Sequence, residues 1–155
     1  MTEPVPVAPA SEPLRAARLR DLAQRIDEAE LVVALDGRIV DANDRACALY
    51  GYPMDTLLEL HVADLRAEET RPEVARQMAE AAEHGVRFET RHRRRDGSEF
   101  PVEVGSWAFE VEGQRYLHSL VRDLTARHLQ DAETRLLASI TRSITDTVFV
   151  TDLDV

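Results

Sequence analysis

Residues 93–125 decide the fold of this chain and read RRRDGSEFPVEVGSWAFEVEGQRYLHSLVRDLT. Two turn signals, D-G at 96–97 and E-G at 112–113, separate three runs that are rich in residues favouring β-strands. The last run ends in the motif RDLT at 122–125 and passes into a charged segment with helical spacing. The stretch therefore predicts two consecutive hairpins followed by a helix.

The first hairpin has two possible registers. A three-residue loop at 95–97 sets Phe88 opposite Val104 and Thr90 opposite Val102. A two-residue turn at the same place would set charged residues opposite apolar ones, because a slip of one residue turns every side chain to the other face. We prefer the three-residue loop, since it separates apolar from charged side chains.

The second hairpin completes a sheet with two unlike faces. A two-residue turn at 112–113 pairs Ser106 with Ser119 and Trp107 with His118. One face is apolar with small hydroxyl groups, which predicts a cover of helices, and it carries Phe88, Thr90, Val102, Val104, Ser106, Leu117, Ser119 and Val121. The other face is amphipathic and carries Arg91, Glu103, Trp107, Phe109, Tyr116, His118, Leu120 and Arg122.

The amphipathic face makes two further predictions. Glu103 lies opposite Arg122, which predicts an ion pair across the strands. The aromatic patch around Trp107 and Phe109 needs a cover, which either a helix over residues 14–29 or a second subunit can supply.

Composition limits the possible functions. The chain has 155 residues, 44% of them hydrophobic, enough for one domain with flanking segments. The formal net charge of −10 argues against nucleic-acid binding and against docking on anionic lipid. A single cysteine excludes an internal disulfide framework, and no apolar run reaches the roughly 18 residues of a membrane span. With no secretory signal visible, we expect a cytoplasmic protein without membrane or nucleic-acid partners.

The N-terminal region has two parts. Residues 1–13 contain four prolines without periodicity and are predicted to be a disordered leader. Residues 14–29 carry Leu19, Leu22 and Ile26 at spacings of three and four, which is typical of an amphipathic helix with a narrow apolar stripe. Packing on its own domain and a homodimer seam both fit this stripe.

The middle of the chain predicts a hairpin followed by helices. Asn43 is a predicted N-cap, and Gly51 and Gly85 are predicted to end helices. The predicted elements are strands at 31–35 and 38–43 and helices at 44–50, 53–58 and 72–84.

Residues 126–143 predict a linker helix that Thr125 caps. Leu129, Leu136 and Ile140 belong to a stripe that suits a short coiled coil. Residues 144–155 repeat the character of the first strand and its acidic turn. We expect them to begin a second, similar domain that this chain contains only in part.

The order of these elements resembles a PAS domain, a sensor module of bacterial signalling proteins. The resemblance covers about residues 25–135 and rests on DGRIVDAN at 36–43, G-Y at 51–52, RDGS at 95–98 and VRDLT at 121–125. Glu59 and His128 depart from the family pattern, which often has glycine and an acid there. The resemblance implies an α+β fold, with a five-stranded antiparallel sheet, short helices over one face and a cavity between. Residues 30–125 would form this domain.

The resemblance allows each cofactor to be checked against the residues that would bind it. Haem-binding relatives use a histidine on the longer helix, where this chain has Ala82, with His61 and His84 as the nearby candidates. Light sensors of the superfamily carry a reactive cysteine in the motif NCRFLQ, which is absent here. Cys47 lies in a different helix and is interpreted as a buried inert thiol. Haem and covalent flavin are not expected, and the cofactor stays unknown.

Catalysis is not expected from this chain. Its five histidines show no clustered ligand spacing, and it has neither a glycine-rich phosphate loop nor a G-x-S-x-G motif. The basic run at 91–95 is interpreted as a solvated surface that can dock an acidic partner helix.

Two functions remain. The first is a sensor domain that binds an unknown small ligand and passes a change through Asp123 and Thr125 to the C-terminal helix, toward a histidine kinase or cyclic-dinucleotide output. The candidate cavity residues are Cys47, Tyr50, Met78, Phe88, Thr90, Val104, Ser106, Ser119 and Val121. The second is a ligand-free dimerisation and spacing module that uses the helix over residues 14–29 and the outer face at Trp107 and Phe109. In that case the cavity residues only complete a collapsed core.

Overall fold

A computed structural model describes residues 28–151, with side chains as far as residue 145. Its centre is a five-stranded antiparallel sheet with strand order β2-β1-β5-β4-β3. The strands are β1 (Ala29–Ala34), β2 (Ile39–Ala42), β3 (Val86–Arg93), β4 (Glu99–Val111) and β5 (Gln114–Asp123). The predicted α+β fold is confirmed, while the predicted leader and the helix stripe of Leu19, Leu22 and Ile26 lie outside the described residues.

Both predicted hairpin registers are confirmed. Phe88 pairs with Val104 and Thr90 with Val102, so the loop between β3 and β4 has the three residues that separate the two faces. The two-residue turn between β4 and β5 pairs Ser106 with Ser119 and Trp107 with His118. Residue 112 of this turn has a positive φ of 50°.

The segment between β2 and β3 covers one face of the sheet. It contains α1 (Asp44–Tyr50), α2 (Met54–Leu57), two 3₁₀ helices (Val62–Leu65 and Glu68–Glu73) and α3 (Val74–His84). The predicted helix at 72–84 begins later, at Val74, because Pro72 lies within the preceding 3₁₀ turn. Beyond Glu59, the chain returns beside β2, where the amide of Ile39 donates to the carbonyl of Leu60 at 3.0 Å.

Asn43 fixes the start of α1 and joins it to β1. Its side-chain Oδ1 accepts hydrogen bonds from the amides of Ala46 at 3.0 Å and Glu30 at 2.9 Å. Its Nδ2 donates to the carbonyl of Glu28 at 3.0 Å. The predicted cap is confirmed, and its further bonds to residues 28 and 30 set where the helix leaves the sheet. At the other end, Gly51 takes the left-handed conformation with φ of 78°, which a glycine adopts without strain.

The core lies between the helices and the apolar face of the sheet. Its largest fully buried side chains are Tyr50, Phe100, Leu31, Ile39, Leu57, Leu65, Leu117, Val33, Val102 and Val121. These residues come from the strands, α1, α2 and the first 3₁₀ helix, so packing ties every layer of the domain to the sheet.

The C-terminal helix α4 (Thr125–Thr151) begins directly after β5. Its first amide is capped by Asp123, whose Oδ1 accepts from the amide of Thr125 at 2.8 Å and from its hydroxyl at 2.6 Å. The capping side chain is therefore Asp123, and the expectation that Thr125 would cap is corrected. A carboxylate two residues upstream reaches the free amide, whereas the hydroxyl of Thr125 donates to that same carboxylate.

The predicted strand near 145–154 is replaced by helix as far as Thr151. A helix satisfies its backbone groups within the segment, whereas a strand needs a neighbouring strand. Residues 152–155 lie outside the described residues, and the second domain stays a prediction.

Asn43→Ala should lower the free energy of unfolding by about 2 kcal/mol, because it removes the cap and both bonds to the start of β1. Asn43→Asp keeps the acceptor for the two amides and should cost less than half as much. Urea denaturation of the two variants and the wild type measures both values. An alanine variant as stable as the wild type would show that the cap does not hold the helix start.

Candidate functional site

A small cavity lies between the apolar face of the sheet and the helices that cover it. Its volume is about 40 Å³, room for a few water-sized molecules. Most of its lining is aliphatic or aromatic, and five of the lining residues are polar. The lining residues are Leu31, Val33, Val62, Arg66, Val74, Gln77, Met78, Phe88, His92, Val104, Ser106, Leu117, Ser119 and Val121.

Arg66 is a buried cation at the edge of this cavity, with 4% of its surface exposed. It follows the first 3₁₀ helix, and a backbone bridge to His92 holds it against β3. One guanidinium nitrogen donates to Gln77 Oε1 at 2.6 Å and another to Thr90 Oγ1 at 3.2 Å, while the ring of Phe88 lies 5.1 Å away. These partners are all neutral.

The environment of Arg66 compensates little of its charge. Burial lowers the pKa of Arg66, because removal from water disfavours the charged form. Tyr50 and, more weakly, the carboxylate of Glu73 oppose this shift. This carboxylate is exposed and is linked to Arg66 only through Gln77, whose Nε2 donates to Glu73 Oε2 at 3.3 Å.

His92 is the second buried titratable group of the lining, with 2% of its surface exposed. Its Nδ1 lies 2.7 Å from the hydroxyl of Tyr50. Burial, with a smaller contribution from the charge of Arg66, lowers the pKa of His92 from 6.5 to about 3. The imidazole is therefore neutral at physiological pH, and one of its nitrogens carries a single proton.

We assign the imidazole proton of His92 from its contact with Tyr50. Burial raises the pKa of Tyr50, so the phenol keeps its proton. The phenol proton needs an acceptor, and His92 Nδ1 is the atom within reach. With Nδ1 as the acceptor, the imidazole proton is on Nε2. His92 Nε2 and Arg66 Nε are then two buried N–H donors without a partner among the described residues.

The structure brings together six of the nine predicted cavity residues. Met78, Phe88, Val104, Ser106, Ser119 and Val121 line the cavity, and the hydroxyls of Ser106 and Ser119 lie 2.9 Å apart. The other three lie outside the lining: Tyr50 is behind His92, the hydroxyl of Thr90 accepts from Arg66, and Cys47 is half-buried on α1. Burial raises the pKa of the Cys47 thiol.

Arg66, Gln77 and His92 line the cavity but were not among the predicted cavity residues. The alternation of β3 contained a signal for His92, since it is in phase with Phe88 and Thr90. Arg66 lies between two short 3₁₀ helices, where no periodicity indicates which side chains point inward. The considered haem ligands lie elsewhere, with His61 capping the first 3₁₀ helix and His84 exposed at the end of α3.

Arg94 connects α1 to the start of α4. Its Nε donates to the carbonyl of Leu49 at 3.1 Å, a terminal nitrogen lies 3.2 Å from Asp123 Oδ2, and its guanidinium is 3.8 Å from the ring centre of Phe100. The interpretation of the whole run 91–95 as a solvated surface is therefore corrected. Strand alternation turns His92 inward, and Arg94 lies half-buried between two elements of its own chain.

The outer face of the sheet carries charge pairs around aromatic rings. The predicted pair of Glu103 and Arg122 is confirmed at 3.6 Å, and Arg122 also binds Glu28. Trp107 packs edge-on against His118 at 4.8 Å and is 41% exposed. Phe109 packs against Tyr116 at 5.8 Å. The exposed Trp107 ring belongs to the aromatic patch that is predicted to need a cover.

Among residues 28–145, whose side chains the structure describes, no group of three or more histidine, cysteine, aspartate or glutamate side chains is arranged to hold a metal ion. No helix in this part of the chain combines the length and the apolar character of a membrane span.

Comparison with known proteins defines the family. A family model described as PAS domain matches residues 27–126, well over half of the chain. The chain therefore belongs to the PAS domain family, a family of sensor modules. A search of curated proteins finds no match.

Solved structures share the fold. The PAS domain of an HTR-like protein from Haloarcula marismortui is 28% identical, with a TM-score of 0.63 over 70% of this chain and 91% of that one. The PAS domain of a two-component sensor histidine kinase is 20% identical, with a TM-score of 0.63 over 73% and 99%. A domain of a sensory box histidine kinase/response regulator from Geobacter sulfurreducens is 19% identical, with a TM-score of 0.61 over 71% and 96%.

Because burial lowers the pKa of His92, the protein should become less stable as the pH is lowered. The folded-state pKa lies below the unfolded value of 6.5, so the unfolded chain takes up the proton first. This contribution to stability is complete above pH 6.5 and is lost as pH falls from there toward about 3. As the pH falls from about 7.5 to about 5, the titration of His92 should lower the free energy of unfolding by about 2 kcal/mol.

Urea denaturation of the wild type and of His92→Gln at several pH values measures this contribution. Over this pH range the free energy of unfolding of His92→Gln should fall by about 2 kcal/mol less than that of the wild type, since glutamine does not titrate. The stability of His84→Gln, which replaces an exposed histidine, should change with pH as that of the wild type does. Equal falls in the wild type and His92→Gln would contradict a buried neutral His92.

Proposed function

We propose that this chain is the cytoplasmic sensor module of a multidomain signalling protein. A small ligand occupies the cavity, and the resulting change passes through Asp123 to α4 and biases an output domain, a histidine kinase or a cyclic-dinucleotide enzyme. Catalysis belongs to that output domain. The observation that carries this proposal is the contact between Arg94 and Asp123, because it links the cavity side of the domain to the first turn of α4.

The path from the cavity to α4 consists of short polar contacts. His92 lines the cavity and is bound to the Tyr50 hydroxyl at the end of α1. The carbonyl of Tyr50 accepts from the amide of Arg95 at 2.8 Å, and the preceding carbonyl, of Leu49, accepts from Arg94. Arg94 then reaches Asp123, which caps α4. A shift of His92 would therefore change how the helix starts.

A helix start is a suitable point for transmission. Asp123 holds the free amide of Thr125 and is held in turn by Arg94. If the carboxylate moves, the first turn of α4 loses its cap and gains freedom to rotate or fray. A change in the register or crossing of α4 can then reach the next domain.

The exposed stripe of α4 supports a homodimer. Leu129 is 66% exposed and Leu136 is 61% exposed, and Leu137, Ile140 and Ile144 are also exposed. Leu129 and Leu136 are seven residues apart, and Ile140 and Ile144 follow at spacings of four, which is typical of a coiled-coil seam. The same stripe supports the second candidate function, a ligand-free dimerisation and spacing module, in which Trp107 and its neighbours form a further contact.

Asp123→Ala should separate the two ends of this path. The amide of Thr125 and its neighbours in the first turn of α4 should exchange with solvent about tenfold faster, because the cap is lost. The sheet should keep its exchange rates. In the full-length protein the output should no longer respond to the signal. Hydrogen exchange followed by mass spectrometry and an assay of output activity measure the two effects.

Asp96→Ala is the matched control for Asp123→Ala. Asp96 also accepts from an amide and a hydroxyl two residues ahead, those of Ser98, but it lies in the β3–β4 loop. This variant should leave the exchange of α4 and the regulation of the output unchanged. The relay is wrong if Asp123→Ala leaves both unchanged as well.

Leu136→Glu should weaken the homodimer, because it places a charge in the apolar stripe of α4. We expect the dimer dissociation constant to rise at least tenfold. Gln130→Glu, at another exposed position of α4, should change it little. Sedimentation equilibrium of the three proteins measures the constants, and an unchanged constant for Leu136→Glu would place the dimer contact elsewhere.

A further inference from the structure

Two unused N–H donors point to the chemistry of the cavity's ligand. Within residues 28–145, Arg66 Nε and His92 Nε2 are buried and have no hydrogen-bond partner. Both residues line the same cavity, and each is more than nine-tenths buried. Leaving a buried donor unpaired costs about 1–3 kcal/mol. Two such donors at one cavity call for a partner, since buried polar groups in a finished core are hydrogen-bonded.

The charge of Arg66 defines the sign of the ligand. Its hydrogen bonds go to an amide oxygen and a hydroxyl, so the guanidinium has no carboxylate in direct contact among the described residues. Guanidinium groups remain protonated in proteins, and a buried cation without a partner is destabilising. An anion in the cavity would supply the missing charge at that place.

The number and arrangement of donors favour a carboxylate. A guanidinium has five N–H donors in a fixed fork, and Gln77 and Thr90 accept from two different terminal nitrogens of Arg66. Three of the five N–H groups, the unpaired Nε–H among them, therefore remain for the two oxygens of a planar carboxylate. His92 Nε2–H adds one more donor. Tetrahedral anions such as phosphate spread their charge over more oxygens and need a larger set of donors.

The size and the rest of the lining favour a short tail. The volume of about 40 Å³ leaves room for only a few non-hydrogen atoms. Away from Arg66 and His92, the wall is formed largely by apolar side chains such as Val33, Val104 and Leu117. A charged head at the polar end and a one- or two-carbon tail at the apolar end match this distribution.

We propose that the cavity binds a small monocarboxylate of the size of acetate or propionate, with its carboxylate on Arg66 and His92. This inference rests on the proposed sensor function and names the ligand class of the same cavity. The ligand would contact the residue from which the path through Tyr50 to Arg94 starts. Binding would therefore act directly on the first member of the proposed relay.

Titration of the whole chain, followed by two-dimensional NMR of its backbone and side-chain N–H groups, tests the ligand class. The probes are acetate and propionate, their neutral isosteres acetamide and propionamide, and sodium chloride at equal ionic strength. The carboxylates should shift the signals of Arg66, Gln77 and His92 saturably. They should bind at least about tenfold more tightly than the amides, the usual advantage of a charge-assisted hydrogen bond.

Arg66→Met tests the same assignment by mutation. The variant no longer buries a cation, but it leaves the acceptors on Gln77 and Thr90 without their donor. It should therefore fold with little change in stability and lose the carboxylate response. Arg76→Met, which replaces an exposed arginine paired with Glu80 on α3, should keep that response. Carboxylates that bind no better than amides, or equally well to Arg66→Met, overturn the inference.

The outcomes separate this inference from the function on which it rests. If the cavity signals respond to the neutral amides and not to the carboxylates, the ligand class is wrong and a ligand-binding sensor is supported. If sodium chloride alone produces the carboxylate shifts, a nonspecific charge effect explains them and the inference falls. If no probe shifts these signals and Asp123→Ala leaves the output regulated, both proposals are overturned.

Discussion

The register of the β3–β4 hairpin is the constraint on which the rest of this domain depends. The three-residue loop at 95–97 places Phe88, Thr90 and His92 on the inner face of β3. A slip by one residue would turn His92 to solvent and bury arginines in its place. The same loop leaves Arg94 just beyond the last strand pair, where it reaches both α1 and Asp123. The cavity and the contacts of the proposed relay therefore follow from one local choice of loop length.

The sequence was a reliable guide where short-range chemistry decides the structure. Glycines at turns, the Asn43 cap and the alternation of the strands each act over a few residues, and these predictions agree with the structure. The polar part of the site was not found because it depends on long-range packing. Arg66 leaves an irregular segment, and its burial follows only once β3 and α3 are in place. His92 is in phase with the inward-facing residues of β3, but a histidine between arginines indicates a solvent-exposed position.

The cavity combines low polarity with an unbalanced charge, and the two features have opposite effects on stability. The apolar walls strengthen any electrostatic interaction formed between them, because little water is present to screen it. The same walls make the unpaired Arg66 and the neutral His92 costly to bury. Functional sites commonly retain such local costs, which packing elsewhere in the domain offsets. Here the sheet and α1 provide that packing.

The strength of the contact between Arg94 and Asp123 suits a switch. Both side chains are about one-third exposed, so solvent screens the pair and its contribution is on the order of 1 kcal/mol. Stacking of Arg94 on Phe100 adds an amount of similar size. A ligand can change the population of a conformation only by its difference in affinity for two states. To break a contact of this size, a ligand needs about a tenfold difference in affinity between the two states, which one charge-assisted hydrogen bond to the proposed ligand would supply. A fully buried ion pair at the same place would hold the start of α4 too firmly for a small ligand to move it.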